Sequence, residues 1–456
     1  MNNASIDHKE RIPRRCIKHL RLHVGLVQLV AIVACLPPLI FSDQVPDWMV
    51  PAAIIGLALI FWAGRWLVGR AFVHTPLDLS LILLMLLMPL NILISADRAL
   101  TWPHVYKIIG GTALFYGVVG FLREKPWFEL GALGIALLGL VLGGILLFGT
   151  QWSGAKLSWL PFNLAGRIPR LVNPFWKPEG FAGFNANLAG GTVALLLPVP
   201  LGYALFGRRT WARIGAALET VALSALLLLT FSRGAILAFG AAVLVMLVAH
   251  DRRWLALMAV VLVAATVLLA TGRLEPLLEP VREGNVGTAV QGLDSRLELW
   301  SRGIYMMQDF AFTGVGMGMV EKVLPLLYPT FLISPSAGIE HVHNLYLEFG
   351  AQLGFPGLII VLAQLLLLFY LGWDAVQRAQ DALQKSLTAG LLGTVVVLAV
   401  HGLVDTIPMS PKAYLIIWAL FGVAVALALQ LQDDRVSNGH APLPEPEGDA
   451  ESWHRP

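Results

Sequence analysis

The densest group of chemically capable side chains is Glu340-His341-Val342-His343-Asn344-Leu345-Tyr346-Leu347-Glu348, just before a long apolar run. A histidine takes a proton from a hydroxyl near neutral pH, so this cluster offers a general base, with His341 and His343 as rival candidates. The alternative is ordinary polar capping of a helix start. Two histidines this close also suit a metal, but zinc asks for three protein ligands and the spacing shows no third. No metal or cofactor is therefore expected.

Arginines supply the complementary chemistry. Arg233 lies in Thr230-Phe231-Ser232-Arg233-Gly234-Ala235, which joins two apolar runs with almost no loop. Arg296 and Arg302 lie in SRLELWSRGIYMMQDF (295–310), a mixed pattern compatible with an amphipathic surface helix. The guanidinium fork matches phosphate oxygens; an arginine snorkelling at a helix end, or meeting lipid headgroups, is the bland alternative. Two weaker clusters complete the set. Asn185 and Asn187 in GFNANLAG (183–190) enter a span, where buried amides must find substrate or a neighbouring helix. His401 and Asp405 in HGLVDTIP (401–408) can pair with each other or orient the His343 region. Asn344 and Glu348 flank the histidines as substrate contacts. One base and several arginines suit transfer from an activated phospholipid. The base deprotonates an acceptor hydroxyl, and the arginines stabilise charge on the leaving diphosphate. The membrane face keeps both lipid-anchored partners in reach.

The elements that must position these residues are membrane helices. Of 456 residues, 57% are hydrophobic and only 13% charged; soluble proteins carry about 25% charged residues. Mean hydropathy is +0.72. Apolar blocks near the length of a bilayer crossing predict an all-α, polytopic bundle of about 12 spans. They fall near 22–41, 47–68, 76–95, 104–121, 127–149, 180–206, 212–231, 234–249, 254–270, 343–370, 386–404 and 411–431. The predicted organisation is a basic cytoplasmic segment 1–21, a membrane region 22–270 with an outer loop 150–179, a periplasmic loop 271–342, a second membrane region 343–431, and a disordered cytoplasmic tail 432–456. GVGMG (314–318) reads as a turn in the long loop. The basic N-terminus followed by an apolar run also fits a cleaved signal peptide, but no soluble domain follows, so the run is read as the first span. Arginine and lysine are denser in the loops on the N-terminal side, from Arg65 and Arg70 to Arg378 and Lys385. That bias puts both termini in the cytoplasm and the polar clusters on the outer face. Lys107 stands at the outer end of its predicted span.

Cys16 and Cys35 have no metal-site spacing, and no disulfide framework is expected. No P-loop, HExxH or CxxC is present, and no basic tract with interleaved aromatics suggests nucleic acid. A lipid-linked glycan flippase or exporter is a competing class. It would carry charge through the bundle interior, whereas the middles of most predicted spans are nearly charge-free.

In their order between these spans, FNANLAG (184–190), FSRGA (231–235), SRLELW with GVGMG, and HVHNLYLE (341–348) followed by Gly350, Gly354 and Gly357 resemble the O-antigen ligase and O-antigen polymerase-like superfamily of bacterial membrane proteins. The resemblance covers about 20–430. It implies a helical bundle whose periplasmic loop covers the site. It also implies transfer of a glycan from an undecaprenyl-diphosphate carrier to an acceptor on the periplasmic face of the inner membrane. Ligases use lipid A-core as acceptor, and polymerases extend a growing polysaccharide. By position, the family's essential histidine corresponds to His343 with His341 as rival, its junction arginine to Arg233, and its loop arginine to Arg296 with Arg302 close by. The His-Asn-Leu-Tyr-Leu-Glu arrangement favours a ligase, with a polymerase of O-antigen or exopolysaccharide repeats second.

Overall fold

The computed structural model describes residues 14–69, 72–123, 128–150, 152, 183–271, 292–334, 338–407 and 413–437. Most of the expected outer loop 150–179, residues 272–291 of the long loop, the first 13 residues and the tail beyond Ser437 lie outside them. Among the described residues the regular structure is helical, with one isolated bridge between Thr150 and Phe184. The helices are α1 (Arg14–Ile40), α2 (Met49–Val68), α3 (Asp78–Ile94), α4 (Arg98–Leu122), α5 (Phe128–Gly149), α6 (Ala186–Leu196), α7 (Pro198–Phe206), α8 (Thr210–Thr230), α9 (Arg233–His250), α10 (Leu255–Ala270), α11 (Gly292–Asp309), α12 (Val320–Leu327), α13 (Leu345–Arg378), α14 (Ala382–His401) and α15 (Tyr414–Ser437).

Nine stretches among the described residues are long and apolar enough to cross a bilayer, with α6 and α7 together forming one of them. Helix α3 and residues Gly134–Gly149 of α5 are apolar but shorter. The chain is thus a polytopic helical bundle. Helix α14 is its centre, buried along nearly its whole length and packed against α7, α9 and α13. Small residues permit that closeness: a Cβ on Gly390 would stand 2.6 Å from the Val199 Cα of α7. Without a hydrophobic drive between helices in lipid, such backbone approach is what holds spans together.

Two boundaries differ from the sequence reading for local reasons. Helix α4 starts at Arg98 because the Asp97 side chain accepts the Ala99 N–H at 3.0 Å and caps it. Lys107 therefore lies inside the helix, more than two turns from its start. Helix α15 continues to Ser437, past the expected end at 431, and Arg123 meets Asp433 at 3.1 Å beside it.

The long loop is built on α13. Helix α11 begins close to where the amphipathic pattern placed it, but it does not rest its apolar stripe on lipid. Leu299 and Met306 are fully buried, and Gly303 between them lies against Val342 and Leu347. Helix α13 breaks at Gly354, whose φ of 70° and ψ of −170° are non-helical. Its first three turns therefore stand apart from the spanning remainder. The Phe355 N–H there donates to the Ala311 carbonyl at 2.7 Å, tying the break to the loop. That backbone region is essentially reserved to glycine, and a Cβ would meet Ala311 O at 2.6 Å. Gly354→Ala should cost about 1–3 kcal/mol from the backbone alone, more with the clash. Purified variant should melt below wild type with a lower folded yield; equal melting would show that the break tolerates a side chain.

Candidate active site

The His343 turn is fixed from three sides. Asn344 caps α13, its Oδ1 accepting the Tyr346 and Leu347 N–H groups at 3.0 Å each. Its Nδ2 donates to the Leu403 carbonyl at 2.9 Å. The Leu345 N–H donates to Gly402 O at 2.7 Å, and the Tyr346 hydroxyl donates to Ala399 O at 2.7 Å. The start of α13 is thus clamped to the end of α14. Asn344 uses both ends of its amide on the protein and acts as a positioning residue.

The clamp brings His343 to Asp405. His343 Nδ1 and Asp405 Oδ1 lie 3.2 Å apart. Burial alone would raise the Asp405 carboxyl. The hydrogen bond from His343 and the nearby His343, His401 and His341 outweigh it and hold the carboxyl well below the usual carboxylate range. An ionised carboxylate only accepts, so His343 Nδ1 is the donor and Nε2 of the neutral ring keeps its lone pair. That is the arrangement of an oriented general base. The carboxylate also accepts the Thr406 N–H at 2.9 Å.

Among the described residues, two non-glycine residues have positive φ: Phe231 at 50° and His343 at 54°. Both sit in the candidate site. Left-handed backbone is costly for such residues and collects where geometry matters more than ease. Phe231 makes the sharp α8–α9 turn that sets Arg233 on the first turn of α9, with its guanidinium 5.6 Å from the Phe231 ring centre.

His341 packs edge-on against His343, ring centres 4.1 Å apart. Burial and the adjacent His343 push it below its ordinary value, against smaller opposing effects of Glu348 and Asp405. Its Nδ1 is buried with no hydrogen-bond partner among the described residues. His401 is wholly buried at the end of α14, between Gly191 of α6 and Gly234 of α9. Its carbonyl accepts the Asp405 N–H at 3.0 Å, so Asp405 pairs through its side chain with His343 and not with His401.

The two loop arginines part company. Arg302 is occupied: it donates to Pro329 O at 3.0 Å, stands 3.6 Å from Glu298, and lies over Tyr305 and Phe331. Arg296 makes no hydrogen bond or ion pair with a described residue. It acts electrostatically on His401 and on Arg233. It stands one turn before Trp300, whose Nε1 donates to the His343 carbonyl at 3.2 Å, so both share the α11 face turned to the site. Two like charges near each other beside a histidine favour an anion between them.

Behind the turn runs a second layer. Glu348 is wholly buried, its Oε2 accepting the Val342 N–H at 2.7 Å and its other oxygen meeting Gln352. Glu348 therefore serves the protein's own groups, where the sequence suggested a substrate contact. Gln352 Oε1 accepts the Gly318 N–H, and Gln352 O accepts Asn91 Nδ2 at 3.0 Å. Asn91 Oδ1 in turn accepts the Met317 N–H at 2.7 Å. The GVGMG turn, α3 and the His343 turn are thereby one connected unit. Trp300, Gln352 and Asn91 escaped sequence reading. Asn91, a polar residue inside an apolar span, was the available signal.

Asn185 is exposed and caps α6, its Oδ1 accepting the Asn187 N–H at 2.8 Å. The sequence led us to expect a buried amide at this position, which the geometry corrects. Asn187 is half-buried in the first turn of α6.

Ligand atoms of His341, His343 and Asp405 all lie within 4.8 Å of one another. The fold thus supplies, in Asp405, the third possible metal ligand that spacing did not reveal.

The fold and site define a multi-pass helical membrane protein with a polar centre at one end. Residues 218–362 match the family model described as O-antigen ligase. That region holds Arg233, Arg296, Arg302, His341, His343, Asn344 and Glu348, and the match supports an O-antigen ligase-like superfamily. The match supports a bacterial membrane enzyme of ligase or polymerase type, acting on lipid-linked polysaccharide and an acceptor. No curated protein matches the chain.

Removing the Glu348 acceptor leaves the buried Val342 N–H and Gln352 amide unsatisfied, at about 1–3 kcal/mol each. Glu348→Ala should lower the melting temperature and cripple transfer, and Glu348→Gln should restore most of the melting temperature. If Glu348→Ala melts and transfers like wild type, the second layer does not hold the turn.

Proposed function

We propose that this protein transfers a glycan from an undecaprenyl-diphosphate carrier to an acceptor hydroxyl on the periplasmic face, and that the reaction is O-antigen ligation to lipid A-core. The observation that carries the proposal is the His343–Asp405 pair at 3.2 Å, with Arg296 acting electrostatically on His401 and on Arg233. His343 Nε2 takes the acceptor proton as the acceptor oxygen attacks the anomeric carbon of the donor sugar. The bond from that carbon to the carrier diphosphate breaks, and its electron pair leaves with the diphosphate. Arg233 and Arg296 offset the charge that grows there. Asp405 fixes the ring and stabilises the imidazolium. No nucleotide is needed, because the diphosphate linkage carries the driving force. His341, kept neutral, abuts the base without adding a second charge. The periplasmic side follows from the density of arginine and lysine in the opposite loops.

Polymerisation of polysaccharide repeats is the second reading, since the same donor chemistry serves both. Transport of a lipid-linked glycan is the third.

In a strain lacking the gene, wild type should restore O-antigen on lipid A-core. His343→Ala, expressed at equal level, should leave only carrier-linked polymer. Asp405→Asn should reduce transfer by at least about tenfold, since a mispaired ring loses its base. Single repeats still attached to lipid A-core would identify a polymerase, and normal glycans with His343→Ala would rule out the base. A chelator separates base chemistry from metal chemistry at the same three side chains. Transfer by purified protein should survive dialysis against EDTA, whereas loss restored by zinc would replace the base mechanism.

A further inference from the structure

A mainly apolar cavity with a few polar groups lies on the other flank of the α13 start, between α4, α13 and α15. Its volume is about 70 Å³, room for roughly five waters at about 15 Å³ each. Leu345 is its wall on the side of the transfer site: the same side chain packs against Gly402, three residues before Asp405. The polar lining consists of His104, Lys107, Gln364, Tyr414 and Trp418, with no acidic residue among the lining groups.

Lys107 is a cation inside a membrane helix, which is expensive unless the charge has a use. Asp43 and Glu340 act on it from a distance, yet it makes no hydrogen bond or ion pair with a described residue. Gln364 Nε2 is buried there without a hydrogen-bond partner among the described residues. The Tyr414 oxygen already accepts the Gly111 N–H at 2.9 Å, so its hydroxyl proton is left to donate. His104 is backed by Gly318 of the turn that Gln352 holds. The few polar groups in this mainly apolar lining thus include several donors and no acidic side chain. The rest of its lining, including Ile108, Val361, Leu365 and Phe421, is apolar. A donor cluster joined to apolar walls fits the head and first carbons of an anionic amphipath.

We infer that Lys107, His104 and Gln364 bind the phosphate of a lipid, forming a second lipid-phosphate site that holds the acceptor while Arg233 and Arg296 face the carrier diphosphate. The identity of the lipid as acceptor rests on the transfer reading above; the phosphate site itself does not. A reaction between two membrane-anchored molecules needs two anchoring points, and one on each flank of His343 lets both chains remain in the bilayer.

The test uses the purified full chain in phosphatidylcholine nanodiscs, with dodecyl phosphate and farnesyl diphosphate as separate probes. Lys107→Met should weaken dodecyl phosphate binding at least about tenfold, the scale of one lost charge-assisted hydrogen bond, and leave farnesyl diphosphate binding unchanged. Lys107→Arg should retain dodecyl phosphate binding. Gln364→Leu, which keeps every charge, should weaken it to a smaller degree and guards against misfolding of the lysine variant. Probe binding is read without transfer, so failure of the transfer reading leaves the phosphate site to stand or fall on these variants alone. Dodecyl phosphate binding unaffected by Lys107→Met and Gln364→Leu would overturn the site. Equal loss of both probes in Lys107→Met would overturn its separation from the carrier site.

Discussion

The Asp405 carboxylate is a charge held where water barely reaches, its side chain only 14% exposed. A buried ion costs several kcal/mol unless its surroundings answer it. The answer here is a set of donors that the chain must deliver from distant positions. His343 comes from before α13, and the Thr406 N–H from the loop after α14. Satisfying that one group fixes the end of α14 against the start of α13. It also holds His343 in left-handed backbone, which an unconstrained histidine rarely adopts. Structure and the proposed chemistry share the same constraint: what stabilises the carboxylate also orients the His343 ring.

The orientation survives only if the turn cannot slide. Each layer behind it removes one freedom. Glu348 accepts the Val342 N–H, Gln352 donates to Glu348, and the Gly316–Gly318 turn is pinned between Gln352 and Asn91. Helix α11 closes the front through Trp300 and the His343 carbonyl. The loop between α10 and α13 is therefore part of the site's frame. Its helix faces inward because Leu299 and Met306 find protein and not lipid. Arg296 is carried toward the site by the face that bonds Trp300 to the His343 carbonyl. Arg302 points to its own partners, two residues from the half-buried Trp300, because the helix turns about 100° per residue.

Helical class, the long loop and the histidine cluster were legible because they depend on composition and adjacency. The partner of His343 was visible only as an ambiguous pair. HGLVDTIP contains a histidine and an aspartate four apart, which reads as an internal pair, yet the α14 helix ends at His401 and turns. Asp405 is thereby swung toward a residue 62 positions earlier. Long-range pairing of this kind leaves no local pattern. The choice between Arg296 and Arg302 was likewise closed to sequence, since both suit phosphate and only the fold shows which is already engaged. Lys107 was misjudged for a local reason. Its apolar run starts after Pro103, but the helix is capped earlier by Asp97, so a lysine that looked peripheral is internal.

Charge within the spans bears on transport against transfer. An exporter needs ionisable groups strung through the membrane along a path. Besides Lys107 in α4, Glu219 in α8 is an ionisable group within a span. It lines a cavity of about 460 Å³ between α5, α7, α8 and α14 that also includes Arg209 and Tyr203, toward the end of the bundle opposite His343. Its Oε1 has no partner among the described residues and lies over Gly139. Between that cavity and the His343 centre, α14 presents a buried run from Leu391 to Leu398 whose polar interruption, Thr394, is already hydrogen-bonded to the Leu195 carbonyl at 2.9 Å. A glycan could not traverse such packing without separating α14 from α6 and α9, the contacts on which His401 and the Asp405 loop rest. Chemistry confined to one face needs no such separation, and the rigid packing beneath is what keeps that face in place.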